Sequence, residues 1–405
     1  LSWLAKQHWA SGKIGTYGCS YLGENQIQLA AERHPNHTAA IAEAAGGAYA
    51  GTHRQFMYRE GGVPELKPST GWFWHAGTKL TSQLPINLTD SQFSMLAEHF
   101  TYESSAPELD IDTAVWTLPT IDALVKNGNP LPSDYRDYIS QVPSSPFWKK
   151  LNYVNDTDQF DVPTLHVNSW YDGSVDETLR LFNLFRQNSV SKRSADNQLV
   201  IISPTTHCGS PSAGTSLMVG ERELGDASWP YMQQYINWFD HWLKENNNQV
   251  VERDKVQYYL MGKNTWQFAP TWPVPETDIV QFYLHENTQV GEEEGNGLLS
   301  TDMPDTYSTA RYIYDAKNPV PSVGGTDGAF DQSSIETRDD VLVYSTRDMW
   351  LSPVVATHSQ LCRLGVPAEL HVWEGLEHCF HYNNDLPEAS ELHNRMLKFF
   401  ERHLV

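Results

Sequence analysis

The sequence predicts an α/β fold built on a parallel sheet, interrupted by a helical insertion and followed by an all-β domain. Three observations predict it. Strand-like runs alternate with helix-like runs over residues 13–45 and again over 162–245, and that alternation marks parallel βαβ units. Residues 51–150 are rich in Trp, Tyr, Pro and His and show no strand rhythm. From residue 249 onward, the short β-rich runs VQYYLMG, IVQFYLH, ARYIYD and DVLVYST are separated by Pro, Gly and acidic loops, as in a sandwich or jelly roll.

The elements follow in order. In residues 1–50, Ser2 to Gln7 reads as the tail of a helix and Ile14-Gly15-Thr16-Tyr17 as a strand. Glu24 to Glu32 is a run of good helix formers, and Ala39 to Ala45 is the next strand despite its alanines. Residues 51–150 read as a helical cap. Its Trp72, Phe73, Trp74, Trp116 and Trp148 either pack the cap or wall a substrate pocket. Residues 151–248 resume the core with a strand over 162–168, a helix from Asp176 to Arg186, a strand over 197–203 and a helix from Tyr231 to Glu245. In the last of these, Ile236, Phe239, Trp242 and Leu243 stand at helical spacing as the apolar face. Residues 249–351 are the β domain. Residues 352–405 change character again, with a helix end over 360–364, a strand over 368–373 and a helix from Pro387 to His403.

The 405 residues suffice for two domains or one large domain with an insertion. At 40% hydrophobic residues with 14 Trp, the chain can bury a large core, which argues against disorder. A net charge of −22 argues against nucleic acid and anionic membrane as partners. No apolar run approaches a membrane span, no signal peptide is visible, and the compartment and oligomeric state are not readable. Cys19, Cys208, Cys362 and Cys379 lack metal-binding spacing and are too few for a disulfide scaffold, so free thiols are expected. In particular, no bridge is expected between Cys19 and Cys208, although each adjoins a candidate site residue.

The chemistry centres on Tyr17-Gly18-Cys19-Ser20-Tyr21-Leu22-Gly23. A serine hydroxyl becomes a useful nucleophile when a sharp turn holds it clear of the backbone beside a base. Here a strand, a serine flanked by glycines and a helix follow one another, though the second glycine falls one residue later than in G-x-S-x-G. Alone, this is equally a Gly/Ser turn of an ordinary α/β unit. Partners decide the matter. Asp172 and His207 each stand just after a predicted strand, where parallel sheets carry their reactive residues. The order Ser20, Asp172, His207 is that of the α/β-hydrolases, with the cap filling the first gap. Ser20 Oγ would attack an acyl carbon, His207 would carry the proton, Asp172 would orient the imidazole, and the Tyr21 backbone N–H would be an oxyanion donor. Asp176 and Glu177 are rival acids but fall inside a helix, and His166 lies within a strand as a core or surface residue. No metal or organic cofactor is implied.

WLAKQHWASGKIGTYGCSYLG, SWYDGSVDETLR and IISPTTHCG resemble the nucleophile, acid and histidine segments of the cocaine-esterase-like (CocE/NonD) serine hydrolases, kin of the X-Pro dipeptidyl-peptidases and glutaryl-cephalosporin acylases. The family elbow reads G-x-S-Y-x-G, which fits the late Gly23. VQYYLMGKNTW, FYLHENTQ, YIYDAKNPVPSVGG and DDVLVYST are similar to the family's C-terminal jelly roll. The resemblance covers roughly residues 1–350. It implies an α/β-hydrolase core, a helical cap and a jelly roll, with Ser20, Asp172 and His207 on the catalytic positions. Two departures stand out. The family has several strands before the elbow and a tyrosine there that supplies a second oxyanion donor, whereas this sequence starts almost at the elbow. Beyond about residue 354, LCRLGVPAELHVWEGLEHCFHYNNDLPEA instead looks like the end of a hormone-sensitive-lipase-type esterase. His378 in that stretch is expected to be an orphan without a site.

The amino-acid ester hydrolases of the superfamily carry two acids just after the catalytic Asp to bind an ammonium; here Ser174 and Val175 hold those places. The reading is therefore a serine hydrolase acting on small esters, amides or short peptides, with neutral or apolar acyl groups favoured. An X-Pro dipeptidyl-peptidase is the rival of the same class. A catalytically inactive hydrolase fold, or a jelly-roll binding module, is the rival of another class.

Overall fold

The computed structural model describes residues 1–49, 64–76, 89–91, 93–94, 109–129, 133–286, 297–305, 309–324 and 328–346, with Leu392, Arg395, Met396 and Lys398. The chain divides into two compact units, one of residues 1–279 and 313–341 and the other of residues 280–312 and 342–405.

The first unit is organised by a six-stranded sheet in the order β1-β2-β3-β4-β7-β8. Strands β1 (Ile14–Cys19), β2 (His37–Glu43), β3 (Thr164–Tyr171), β4 (Leu199–Thr206) and β7 (Val256–Leu260) are mutually parallel. Only β8 (Thr265–Ala269) runs antiparallel, against β7; β5 (Leu217–Val219) and β6 (Arg222–Gly225) form a separate antiparallel pair. A parallel sheet must be covered on both faces, and the period-two alternation of β2 accomplishes this. Ala40 and Ala42 face α1 (Tyr21–Ala31) and α3 (Val175–Asn188), whose Ile27, Leu181 and Phe185 are fully buried there. Ala39 and Ile41 face the other way, onto Tyr231, Tyr235 and Trp238 of α4 (Tyr231–Lys244). The alanines that make β2 a poor strand by propensity are what let helices approach from both sides.

The buried stripe of α4 is Tyr231, Gln234, Tyr235 and Trp238, whereas Ile236 is half exposed. Of the expected apolar face, Phe239 and Trp242 pack against this core, and Ile236 does not. Two of these inner aromatic rings have partnered polar tips: Trp238 Nε1–H donates to the Ala40 carbonyl at 3.0 Å, and Tyr235 O–H donates to the buried Glu43.

Residues 249–351 do not begin a separate β domain at 249. VQYYL pairs parallel with β4 through Val200–Ile202 and forms a hairpin with β8, so the core sheet extends to Ala269. Alternating patterning identifies a half-buried strand but not the sheet it joins, which is why the boundary is displaced. In the second unit, β9 (Tyr283–Glu286), β10 (Gly297–Ser300) and β11 (Tyr344–Ser345) form a three-stranded sheet in the order β11-β10-β9. ARYIYD, expected as a strand, is not one.

Between β2 and β3 the described residues are helical, from α2 (Leu66–His75) through short turns at Ile111–Ala114, Ala123–Lys126 and Tyr135–Ile139. Phe73, Trp74, Tyr135 and Trp148 bury one another in a cluster of their own, so these cap aromatics pack the insertion. Trp72 and Trp116 remain half exposed. His378 and the strand expected over 368–373 lie outside the described residues.

Candidate active site

β1 ends at Cys19, and α1 starts at Tyr21. Ser20 alone makes the turn, with φ 59° and ψ −131°, a left-handed conformation that a side chain rarely adopts and that costs about 1–3 kcal/mol. The turn is possible because its flanks are bare. A Cβ at Gly18 would collide with the Leu22 carbonyl, and one at Gly23 with the Glu43 carbonyl. Gly23 is therefore the residue that lets α1 settle against the end of β2, which accounts for its late spacing. The Ser20 N–H donates to the Glu43 carbonyl at 3.0 Å, fixing the turn to β2. Tyr21 occupies the first helical position, where a backbone N–H has no acceptor inside the helix.

Asp172 follows β3, and His207 follows β4. The Ser20 hydroxyl lies 2.8 Å from His207 Nε2, and His207 Nδ1 lies 2.5 Å from Asp172 Oδ2. Asp172 is nearly closed to solvent, its side chain 2% exposed, while that of His207 is 52% exposed. Asp172 Oδ1 accepts from both the backbone N–H and the hydroxyl of Ser174, each at 2.7 Å. Burial works against the ionised carboxyl, but these bonds together with the one to His207 outweigh it and hold Asp172 below the ordinary carboxylate value. The same Asp172 hydrogen bond raises His207 above its ordinary 6.5 against the opposing effect of burial, and the charges of Asp172, Glu24 and Glu43 add to the rise.

The three residues that the sequence singles out thus meet at the carboxyl edge of the sheet. The rivals do not join them. Asp176 pairs with Arg180 at 2.9 Å. His166 is buried in β3 with Nε2 3.3 Å from Gln198 Oε1, and burial pulls it down to about 4.

Three further features of the site were not anticipated. Cys19 and Cys208 are joined by a disulfide, Cα atoms 6.0 Å apart, which corrects the expectation of free thiols at these two positions. Although two strands separate β1 from β4, the turn after β4 returns over β3 and β2. Contact between His207 and Ser20 therefore brings their chain neighbours together as well. Adjacency of each cysteine to a candidate residue was the available signal. Glu24, one turn along α1 from Ser20, is pushed up to about 7 by burial, and its Oε2 is buried without a hydrogen-bond partner. Glu43, at the end of β2, is raised by burial and accepts from Tyr17 and Tyr235 hydroxyls at 3.3 and 3.2 Å. Nothing in the local pattern of ENQIQ or AIAEAA marks either acid as close to the histidine. Among the described residues no group of three or more His, Cys, Asp or Glu is arranged to hold a metal ion.

The profile of the X-Pro dipeptidyl-peptidase (S15) family matches residues 1–209. The cocaine esterase of Rhodococcus sp. (strain MB1 Bresler) is 30% identical over 379 residues, covering 90% of this chain and 62% of that protein. Among solved structures, an aminopeptidase from a marine sediment archaeon (Thaumarchaeota archaeon) superposes with a TM-score of 0.56 at 19% identity, over 85% of this chain and 54% of the other. A selenomethionine-labelled α-amino acid ester hydrolase superposes with a TM-score of 0.50 at 16% identity, over 84% and 54%. The chain therefore spans less than two thirds of the length of these relatives. These likenesses agree with an α/β-hydrolase fold, and the profile match over 209 of 405 residues settles the kinship: the chain belongs to the X-Pro dipeptidyl-peptidase (S15) family.

Proposed function

We propose that the protein is a serine hydrolase that cleaves carboxylic ester or amide bonds through an acyl-enzyme. The observation that carries this reading is the continuous relay from Ser20 Oγ through His207 to buried Asp172, at 2.8 and 2.5 Å. Ser20 Oγ attacks the acyl carbon as its proton passes to His207 Nε2. The negative charge that develops on the former carbonyl oxygen is met by the N–H of Tyr21 at the start of α1. Asp172 holds Nδ1–H and stabilises the imidazolium, which then protonates the leaving alcohol or amine. Water, activated by the same imidazole, releases the acid and restores Ser20.

The acyl group is read as neutral or apolar. Ser174, which holds a place where the amino-acid ester hydrolases carry an acid, spends its hydroxyl on Asp172 rather than on substrate. The family description supports a second reading, removal of X-Pro dipeptides, in which the same relay acts on an amide. The region beyond β8 is read as part of a jelly-roll domain, on its resemblance and on the β9–β11 sheet.

Stopped-flow hydrolysis of p-nitrophenyl butyrate tests the reading. A burst equal to the enzyme concentration, absent from Ser20→Ala, is expected. No turnover above that of the variant, with folded protein, would contradict it. Comparing that ester with an X-Pro-p-nitroanilide ranks the two substrate classes.

A further inference from the structure

We propose that the Cys19–Cys208 disulfide is a positioning device for the candidate base, and that opening it lowers the reaction rate without emptying the substrate site. The inference rests on the serine hydrolase reading above. Cys19 is the residue before Ser20, and Cys208 is the residue after His207. The bridge therefore ties the backbone of the nucleophile to the backbone of the base, one residue from each reacting side chain.

The sheet shows why such a tie is needed. β1 and β4 are separated by β2 and β3. Neighbouring strands lie about 4.8 Å apart, so the ends of β1 and β4 are about 14 Å apart within the sheet. To touch Ser20, the chain after Thr206 must run back across the ends of two strands. Asp172, at the end of β3, holds it midway by the 2.5 Å bond to His207. The crossing turn has little regular structure of its own: its backbone bonds are local, from Gly209 N–H to the Thr206 carbonyl and from Ser212 N–H to the Gly209 carbonyl. Both ends of the crossing are in left-handed backbone, Ser20 at φ 59° and Cys208 at φ 55°. Such conformations persist where the surroundings over-determine them. The half-exposed imidazole leaves water free to compete for its two hydrogen bonds, and the covalent link is the part of the arrangement with which water cannot compete.

Both cysteines are partly exposed, so a small dithiol reaches them. Its thiolate attacks one sulfur, the S–S bond breaks, and a mixed disulfide forms. The second thiol of the reagent then displaces the protein sulfur. The protein gains two electrons and two protons as two thiols, and the dithiol leaves as its cyclic disulfide. A misplacement of about 1 Å at a reacting group costs about 10²-fold, and we expect a loss of roughly tenfold to a hundredfold.

The experiment measures ester turnover of the full chain, oxidised, after dithiothreitol and after reoxidation, well below the midpoint of thermal unfolding recorded for each state. The expected result is a fall in kcat on reduction with KM nearly unchanged, regained on reoxidation. A Cys19→Ser/Cys208→Ser variant should start at the low rate and ignore dithiothreitol. A Cys362→Ser/Cys379→Ser variant should respond like wild type. Equal kcat in the oxidised and reduced folded protein would overturn the proposal, as would four titratable thiols in the denatured, unreduced chain. If the double variant at 19 and 208 fails to fold, the reduced wild type carries the same comparison. Absence of Ser20-dependent turnover in the oxidised protein would instead defeat the serine hydrolase reading.

Discussion

Asp172 and His207 share one hydrogen bond and are held in opposite ways. Asp172 stands where β3 passes into α3. It is shut from solvent, and its second oxygen is claimed twice by Ser174. Regular structure and burial position it, and a carboxylate placed so needs no further tether. His207 stands on a turn that has left its strand, half in water, and reaches Ser20 only by crossing the sheet edge. Its partners are Asp172, Ser20 and the disulfide next to it. The contrast separates two ways of building precision: an acid fixed from behind by the core, and a base fixed from its flanks by specific bonds. Substitutions should therefore hurt in different ways on the two sides.

The largest effect is expected at the base and nucleophile. Replacing either member of such a unit alone costs about 10⁶ in kcat, nearly as much as removing all of it. His207→Ala should accordingly abolish ester turnover, measured in steady state, while His378→Ala leaves it near wild type. The reverse pattern would move the base to the C-terminal segment. Next comes Asp172→Asn, which keeps shape but presents the wrong partner to the imidazole. A loss of about 10⁴ in kcat is expected, with thermal stability altered little because the amide can still bond Ser174. A loss below tenfold would mean that His207 is oriented by its flanks alone, breaking the contrast.

A smaller effect is expected one step behind the acid. Ser174→Ala removes a charge-assisted bond to a buried carboxylate, worth about 1.5–3 kcal/mol. Roughly a tenfold fall in kcat should follow, together with a rise in the Asp172 pKa. The smallest effect is electrostatic. His207 must be neutral to accept the Ser20 proton, and its pKa lies above the ordinary 6.5. Activity should thus rise with pH through a limb whose midpoint exceeds 6.5. Glu24, itself pushed up to about 7 by burial, contributes to that elevation to the extent that it is ionised. Glu24→Gln removes the charge, favours neutral imidazole at lower pH and should move the limb toward acid by a fraction of a unit. A shift toward alkaline pH, read from kcat/KM profiles, would refute this assignment of the field.

Much of the site was legible because its information is local. Gly18, Ser20 and Gly23 announce a turn with bare flanks, and Asp172 and His207 each follow a run of β-branched and apolar residues. The order of the three then matches one topology. What was not legible depends on distance in space. Glu43 adjoins Ser20 because β2 neighbours β1, and Glu24 acts electrostatically on the histidine only once the turn after β4 has crossed the sheet. The disulfide follows the same rule: that Cys19 adjoins Ser20 and Cys208 adjoins His207 is plain in the sequence, but the path of the turn that brings them together is not. In the fold, the pattern of VQYYL marks a strand but not its sheet, since its pairing with Val200–Ile202 is long-range. On α4, Phe239 and Trp242 pack on the core as expected while Ile236 does not, and inner places also go to Tyr235 and Trp238, whose polar tips are satisfied by Glu43 and Ala40.

The central claim is that Ser20 becomes acylated. A fluorophosphonate forms a stable adduct with an activated serine, so the folded, oxidised protein should gain one phosphonyl group, mapped by peptide mass spectrometry to Ser20. Labelling should vanish in His207→Ala. An adduct at another residue, or none at Ser20 in folded wild-type protein, would contradict the account.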